Sequence, residues 1–170
     1  MNEIREIVTR AVVAKGKKVL NISEKVKTQE KPYSILGCWV INHEFEATKI
    51  NNTVKLDGEF EVNIWYSTNN NTRTDILREV ITYKKDIETK TIVKEYLENS
   101  DDILARIIQH PTVTNAKILE DVVEVDITFE IVAEIIGETK MKVTVFKEAE
   151  NWEEEIDELD MELNEDFLDI

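Results

Sequence analysis

Apolar and polar residues alternate along much of the chain, with the two-residue period that places one set on a single face of a β-strand. Between Val54 and Tyr66 the apolar residues alternate with Lys, Asp, Glu and Asn, so the second face is polar apart from Trp65. Ser67–Thr72 is rich in residues that favour turns, and a run rich in Thr, Ile, Val and Tyr follows from Thr74 to Tyr83. This pattern predicts an antiparallel hairpin.

A second alternating segment runs from Val123 to Ile135, with Glu, Asp and Thr between most of its apolar positions. Gly137 is expected to form a turn, after which Met141–Val145 resumes the alternation, so the pattern predicts a second hairpin. Runs rich in β-branched and other apolar residues predict four further strands: Ile7–Ala14, Lys18–Ile22, Ile35–Phe45 and Asp86–Val93.

The segment Asp101–Gln109 fits two structures. Its apolar residues have helical spacing after two aspartates suited to capping a helix, whereas its Ile content and the nearby Pro111 suit the edge of a sheet. We favour a strand, which makes the chain mainly β. Strands that bury one face each predict an antiparallel two-sheet sandwich or a flattened barrel.

The two long alternating segments resemble each other at an offset of 69 positions. At this offset Ala47 aligns with Ala116, Val54 with Val123, and Phe60 with Phe129. Two interpretations stay open: the body contains two related β units, or any two amphipathic strands share this period.

The formal net charge of −15 is concentrated at the C-terminus. Residues 148–170 hold twelve acidic residues and no Lys or Arg, so the rest of the chain has 24 acidic and 21 basic residues, a net charge of −3. We therefore divide the chain into a β-rich body, 1–147, and an acidic tail, 148–170. Such a tail repels phosphate backbones and anionic lipid and attracts basic partner surfaces, so nucleic-acid binding is not expected.

No segment predicts export or membrane insertion. The charged N-terminus lacks the apolar stretch of a secretory signal, and nothing approaches the roughly 18 consecutive apolar residues of a membrane-spanning helix. Cys38 is the only cysteine, which rules out an intrachain disulfide and fits synthesis in a reducing cytosol. We expect it to be a small buried hydrophobic residue.

The residues that usually carry catalysis or bind cofactors form no recognisable motif. His43 and His110 lack metal-ligand spacing and are expected to be surface or loop histidines, and the four glycines are too scattered for a phosphate-binding loop. Glu59 and Glu61 share the polar face of a strand, where alternating Glu is expected for solubility. We therefore predict no catalytic, cofactor-binding or metal-binding residues, and no enzyme.

Apolar residues in the acidic tail recur at steps of three and four, which is the spacing of one helical face. The acids are not neutralised within the tail, so this helix should be weak unless an apolar groove with a basic rim binds it. A disordered solubilising tail and a helix packed on its own body are the alternatives. The predicted partner-binding residues are Trp152, Ile156, Leu159, Leu163, Phe167 and Leu168.

Seven blocks, in chain order, carry a resemblance to one known family: Ala11–Lys17, Lys31–His43, Val54–Gly58, Val62–Ser67, Ala133–Lys140, Asn151–Glu154 and Phe167–Leu168. The Trp-containing blocks and the Gly-Glu-Thr-Lys block are the most specific. Together they resemble the outer spore-coat morphogenetic protein family CotE of endospore-forming bacteria. No family block is recognised in residues 86–115.

The resemblance implies a non-enzymatic scaffold that is made in the mother-cell cytoplasm, self-associates around the forespore and becomes part of the outer spore coat. It further implies that the body forms homo-oligomers and docks on the underlying basement-layer coat protein, while the acidic tail recruits other coat proteins. No cofactor is implied.

Trp39 and Trp65 are candidate self-assembly residues if they lie on outer sheet faces, and core residues if they do not. The alternative function is a ligand-binding β module, for example one that binds carbohydrate. Such a module would have a cleft lined by aromatic side chains, whereas a scaffold would have an exposed surface for contact between copies.

Overall fold

The computed structural model describes residues 3–146, and for residues 97–101 it describes the backbone only. The alternating segments form seven β-strands, and the described residues contain no helix. The strands are β1 (Glu3–Lys27), β2 (Ser34–Ile50), β3 (Thr53–Thr68), β4 (Arg73–Glu88), β5 (Lys90–Thr91), β6 (Tyr96–Leu119) and β7 (Val122–Val145).

The strands form two antiparallel sheets, as the alternation predicts. One sheet has four strands in the order β5-β1-β7-β6, and the other has three in the order β2-β3-β4. Their inner faces share one core, in which Phe60 of β3 and Phe129 of β7 are fully buried with ring centroids 6.1 Å apart. The expected two-sheet sandwich is confirmed.

The first predicted hairpin is confirmed as β3 and β4, which pair from Thr53 with Glu88 to Thr68 with Arg73. Its turn contains Asn69, Asn70 and Asn71, all with positive φ between 49° and 70°. Asparagine tolerates this left-handed region better than most residues, which explains the run of three at the turn.

The predicted second hairpin is wrong. Gly137 does not form a turn: it lies buried inside β7, which continues without interruption to Val145. The partner of this long strand is β6, joined to it through Glu120, which has a φ of 58°. The ambiguous segment Asp101–Gln109 lies in β6 and is a strand, as favoured.

Three of the shorter predicted strands are also corrected. Ile7–Ala14 and Lys18–Ile22 belong to one strand, β1, because Gly16 between them is extended and makes no turn. A Cβ on Gly16 would lie 2.3 Å from the carbonyl oxygen of Glu88, so this glycine allows close packing of strands. The segment Asp86–Val93 is not one strand, since β4 ends at Glu88 and β5 contains only Lys90–Thr91.

The offset of 69 positions has a counterpart in strand pairing. Ala47 pairs with Leu56 in the β2-β3 hairpin, and Ala116 pairs with Val125 in the β6-β7 hairpin. Ala116 and Val125 each lie 69 positions after Ala47 and Leu56, so the two hairpins have the same register in this stretch. The two hairpins belong to different sheets. This is the arrangement expected of two related β units.

The chain divides into two compact units. The larger contains Thr9–Thr139 and holds the shared core described above. The smaller combines Met1–Val8 with Lys140–Ile170, of which residues 3–8 and 140–146 are described. Within the smaller unit Nζ of Lys140 lies 2.6 Å from a carboxylate oxygen of Glu6, while Ile4 and Phe146 are exposed.

Candidate self-association surface

The outer face of the three-stranded sheet carries apolar side chains where polar ones are usual. On the central strand β3, inward residues alternate with outward ones, and Trp65 is outward. Strand pairing then sets the outward positions of β2 and β4: Trp39 lies opposite Asn63, and Ile76 opposite Trp65. Both candidate tryptophans are therefore on the outer face and not in the core.

We call the exposed apolar residues of this face the tryptophan face. They lie on three neighbouring strands and are between 41% and 56% exposed: Trp39, Ile41, Trp65, Ile76 and Val80. Gly37 lies beneath the two indoles, since a Cβ there would be 3.6 Å from Trp39 Cζ3 and 3.9 Å from Trp65 Cε3. Exposed apolar side chains that cluster in this way are typical of contact surfaces.

The four-stranded sheet also exposes apolar residues, Val19 and Ile108 among them, but the charges on its outer face are paired. The central strand β7 presents carboxylates, and its two neighbours present cations beside them. Glu134 accepts hydrogen bonds from Lys15 at 3.0 Å and Arg106 at 3.2 Å, and Lys17 binds Glu130 at 2.9 Å. The hydrogen bond from Lys15, with a smaller contribution from Arg106, lowers the pKa of Glu134. A face with its charges matched in this way has little to gain from a second copy.

His43 occupies an aromatic cluster inside the sandwich, so the expectation of a surface or loop histidine is wrong for this residue. The register of β2 and β3 shifts between Ile41 and Glu44, and Asn42 has a φ of 54°. Such an irregularity re-aims a side chain, which the alternation alone does not reveal. His43 Nε2 lies 2.7 Å from the hydroxyl of Tyr83, while the buried Nδ1 has no hydrogen-bond partner in the described part of the chain.

The His43 cluster contains rings from both sheets. The imidazole centroid lies 5.6 Å from the ring of Phe45, 5.3 Å from Phe129 and 5.8 Å from Tyr83. Burial lowers the pKa of His43, with a smaller contribution from His110, and burial raises the pKa of Tyr83 to about 12. Both groups are thus held in their neutral forms, and among the residues that the structure describes no carboxylate bonds to His43 to make an acid-base pair.

We predict that His43 makes the fold sensitive to mild acid. The unfolded chain takes up a proton on His43 near its ordinary pKa of 6.5, whereas the folded chain takes it up only at lower pH. The stability contribution is therefore complete above about pH 6.5 and is lost as the pH falls through the folded pKa. Urea unfolding at a series of pH values should show this slope in the wild type, and His43→Gln should remove it.

The exposed His110 provides the comparison for this test. Because burial is the larger cause of the His43 shift, His110→Gln should keep most of the slope. An unchanged slope in His43→Gln would show that other groups produce the acid sensitivity.

The remaining candidate residues show no constellation suited to catalysis. Glu59 and Glu61 lie on the outer face of β3, and Cys38 is half-buried against the core, where burial raises the pKa of its thiol. Among the described residues no group of three or more His, Cys, Asp or Glu side chains is placed to hold a metal ion.

Two clefts formed by described residues lack the aromatic lining expected of a carbohydrate site. A cleft of about 710 Å³ is lined by charged and aliphatic residues of β1 to β4, and another of about 500 Å³ has Phe45 as its one aromatic residue.

No helix in the described part of the chain is long and apolar enough to cross a membrane. The predicted tail residues, Trp152 to Leu168, lie outside the described residues.

Comparison with known proteins agrees with the resemblance seen in the sequence. The family model described as outer spore coat protein E (CotE) matches residues 3–170. No curated protein matches the chain, and no solved structure does.

Proposed function

The chain belongs to the CotE family of outer spore coat proteins, and from this we propose that it is a non-enzymatic morphogenetic scaffold. In this proposal the protein is made in the mother-cell cytoplasm and self-associates at the forespore surface. Its body docks on the underlying basement-layer coat protein, and its acidic tail recruits further coat proteins. The two tasks are assigned to different parts of the chain because their chemistry differs.

The tryptophan face is the observation that carries self-association. Trp39 and Trp65 lie on neighbouring strands of this face, with Ile76 and Val80 on the adjoining strand β4. Tryptophan supplies large contact areas and is enriched among residues that dominate binding energy. The matched charges on the opposite sheet leave the tryptophan face as the better surface for contact between copies.

The composition of the tail supports recruitment. Its twelve acids attract basic surfaces, and its apolar residues at helical spacing fit an apolar groove. A tail that served only for solubility would not need Trp152, Leu163 or Phe167 at regular steps.

Sedimentation velocity of the full chain over a concentration series tests self-association. We expect species larger than a monomer, in proportions that increase with concentration. A strictly monomeric protein at the highest concentration would contradict the proposal. A fluorescent fusion should appear only during sporulation and form a ring around the forespore.

Recruitment by the tail predicts a specific defect after truncation. Spores made with a chain that ends at Lys147 should lose several outer-coat proteins, because the acidic and apolar groups that bind them are gone. The truncated protein itself should still localise to the forespore surface. Quantitative mass spectrometry of extracted coat proteins provides the measurement, and an unchanged coat would refute recruitment by the tail.

A second tail variant separates recruitment from solubility. Replacing Trp152, Ile156, Leu159, Leu163, Phe167 and Leu168 by serine keeps all twelve acids and removes the predicted partner-binding residues. Recruitment through a groove predicts the same coat defect as truncation. A solubilising tail predicts a normal coat in this variant.

A further inference from the structure

A cleft of about 710 Å³ lies where β1 to β4 contribute side chains at one end of the three-stranded sheet. Its charged lining residues are four lysines and two aspartates: Lys18, Lys55, Lys84, Lys85, Asp57 and Asp86. Four positive and two negative charges leave a net charge of +2. The body as a whole has a net charge of −3, so the cleft is a local concentration of positive charge.

The four lysines of the cleft differ in whether a nearby oxygen already binds them. Lys84 binds Asp57 at 2.6 Å, and Lys18 donates a hydrogen bond to the backbone oxygen of Asp86 at 2.8 Å. Lys55 and Lys85 have no ion pair with any residue that the structure describes. On the four-stranded sheet, by contrast, Lys15 and Lys17 are each bonded to a carboxylate.

We propose that this cleft binds the acidic tail, residues 148–170, of a second copy of the chain. The proposal rests on the proposed self-association, because it needs a second copy nearby. The tail carries twelve negative charges without one basic residue, whereas the body has a net charge of only −3, so the tail is the best match for a positive cleft. Ile50, which is 46% exposed in the cleft lining, offers contact to the apolar residues between the acids.

The cleft and the tryptophan face are separate surfaces. Lys55 and Trp65 lie on the same strand, ten residues apart, which corresponds to about 33 Å along an extended strand. One body can therefore make a tryptophan-face contact with one neighbour and hold the tail of another. Two independent contacts per copy are what growth beyond a dimer requires.

Carbodiimide cross-linking tests the proposal, because it joins carboxylates directly to lysine amines in contact with them. An equal mixture of ¹⁵N-labelled and unlabelled full chain should give cross-linked peptides that join residues 148–170 to the four cleft lysines, with Lys55 and Lys85 linked most often. Peptide pairs of mixed label identify links between copies. Raising the salt from 0.1 M to 1 M should reduce these links, since the Debye length falls from about 10 Å to about 3 Å.

Charge reversal provides the matched variants. Lys55→Glu combined with Lys85→Glu should reduce the mixed-label links to the remaining cleft lysines by about tenfold. Lys31→Glu combined with Lys94→Glu makes the same change in net charge at exposed positions away from the cleft lining, and should leave the links unchanged.

Three results would overturn the proposal: absence of links between the tail and the cleft, links only within single chains, or equal loss of links in both double variants. The proposed self-association is tested separately, by sedimentation velocity. A chain that sediments as an oligomer without such links excludes the tail-to-cleft contact and leaves self-association intact.

Discussion

Phe129→Ala is expected to lower the free energy of unfolding by about 3–5 kcal/mol, the usual cost of removing a large buried aromatic side chain. Phe129 is fully buried, and its ring lies 5.1 Å from that of Tyr83 and 5.3 Å from the imidazole of His43. It is the residue through which β7 reaches the aromatic cluster of the facing sheet. The cavity left by alanine would therefore lie between the two sheets.

Urea unfolding followed by tryptophan fluorescence measures this loss. Phe146→Ala provides the control, because Phe146 is 72% exposed and its removal should change the free energy of unfolding by less than about 0.5 kcal/mol. A loss below about 1 kcal/mol in Phe129→Ala would mean that the two sheets do not depend on this contact.

Trp39→Glu combined with Trp65→Glu is expected to abolish self-association at concentrations where the wild type is oligomeric. Central tryptophans in interfaces commonly contribute about 2 kcal/mol or more each, and 1.4 kcal/mol corresponds to a tenfold change in Kd. Two such losses, together with the repulsion of like charges across the interface, should weaken association by at least about a thousandfold. Sedimentation velocity would show a monomer.

A second pair of variants tests whether association is lost because the contact surface is altered and not because the tryptophan variants fail to fold. Ile76→Lys combined with Val80→Lys alters the same face without removing either tryptophan, and should also produce a monomer. The control is Val19→Glu with Ile108→Glu, which changes exposed apolar residues of the four-stranded sheet. If the control dissociates and the tryptophan-face variants do not, the copies associate through the other sheet.

The alternation of apolar and polar residues was sufficient to predict the β class and the β3-β4 hairpin, and it limited the architecture to a two-sheet sandwich or a flattened barrel, of which the structure has the sandwich. Burial of one sheet face imposes a period of two, and the three asparagines of the turn satisfy a backbone requirement that few residues meet. The same alternation placed Trp65 on the polar face of β3, where the structure has it.

Other features depend on contacts between distant strands and were missed for that reason. Gly16 and Gly137 look like turn residues in the sequence, yet both are extended and buried inside long strands. His43 looks like a polar residue on a strand, and only the register shift beside it explains its inward position. The basic cleft combines lysines of three separate strands, which no local pattern brings together.

The pairing of the first strand with the last has a consequence for synthesis. Ser23 reaches Asp126, 103 positions later, and Asn21 reaches Thr128, 107 positions later. On the ribosome β2, β3 and β4 can form their local meander long before β7 emerges to cover its inner side. Until then the nascent sheet is apolar on its inner side and carries Trp39 and Trp65 on the other. Incomplete chains can therefore aggregate through these uncovered surfaces, and a low expression level, which keeps few incomplete chains present at once, should raise the yield of this protein.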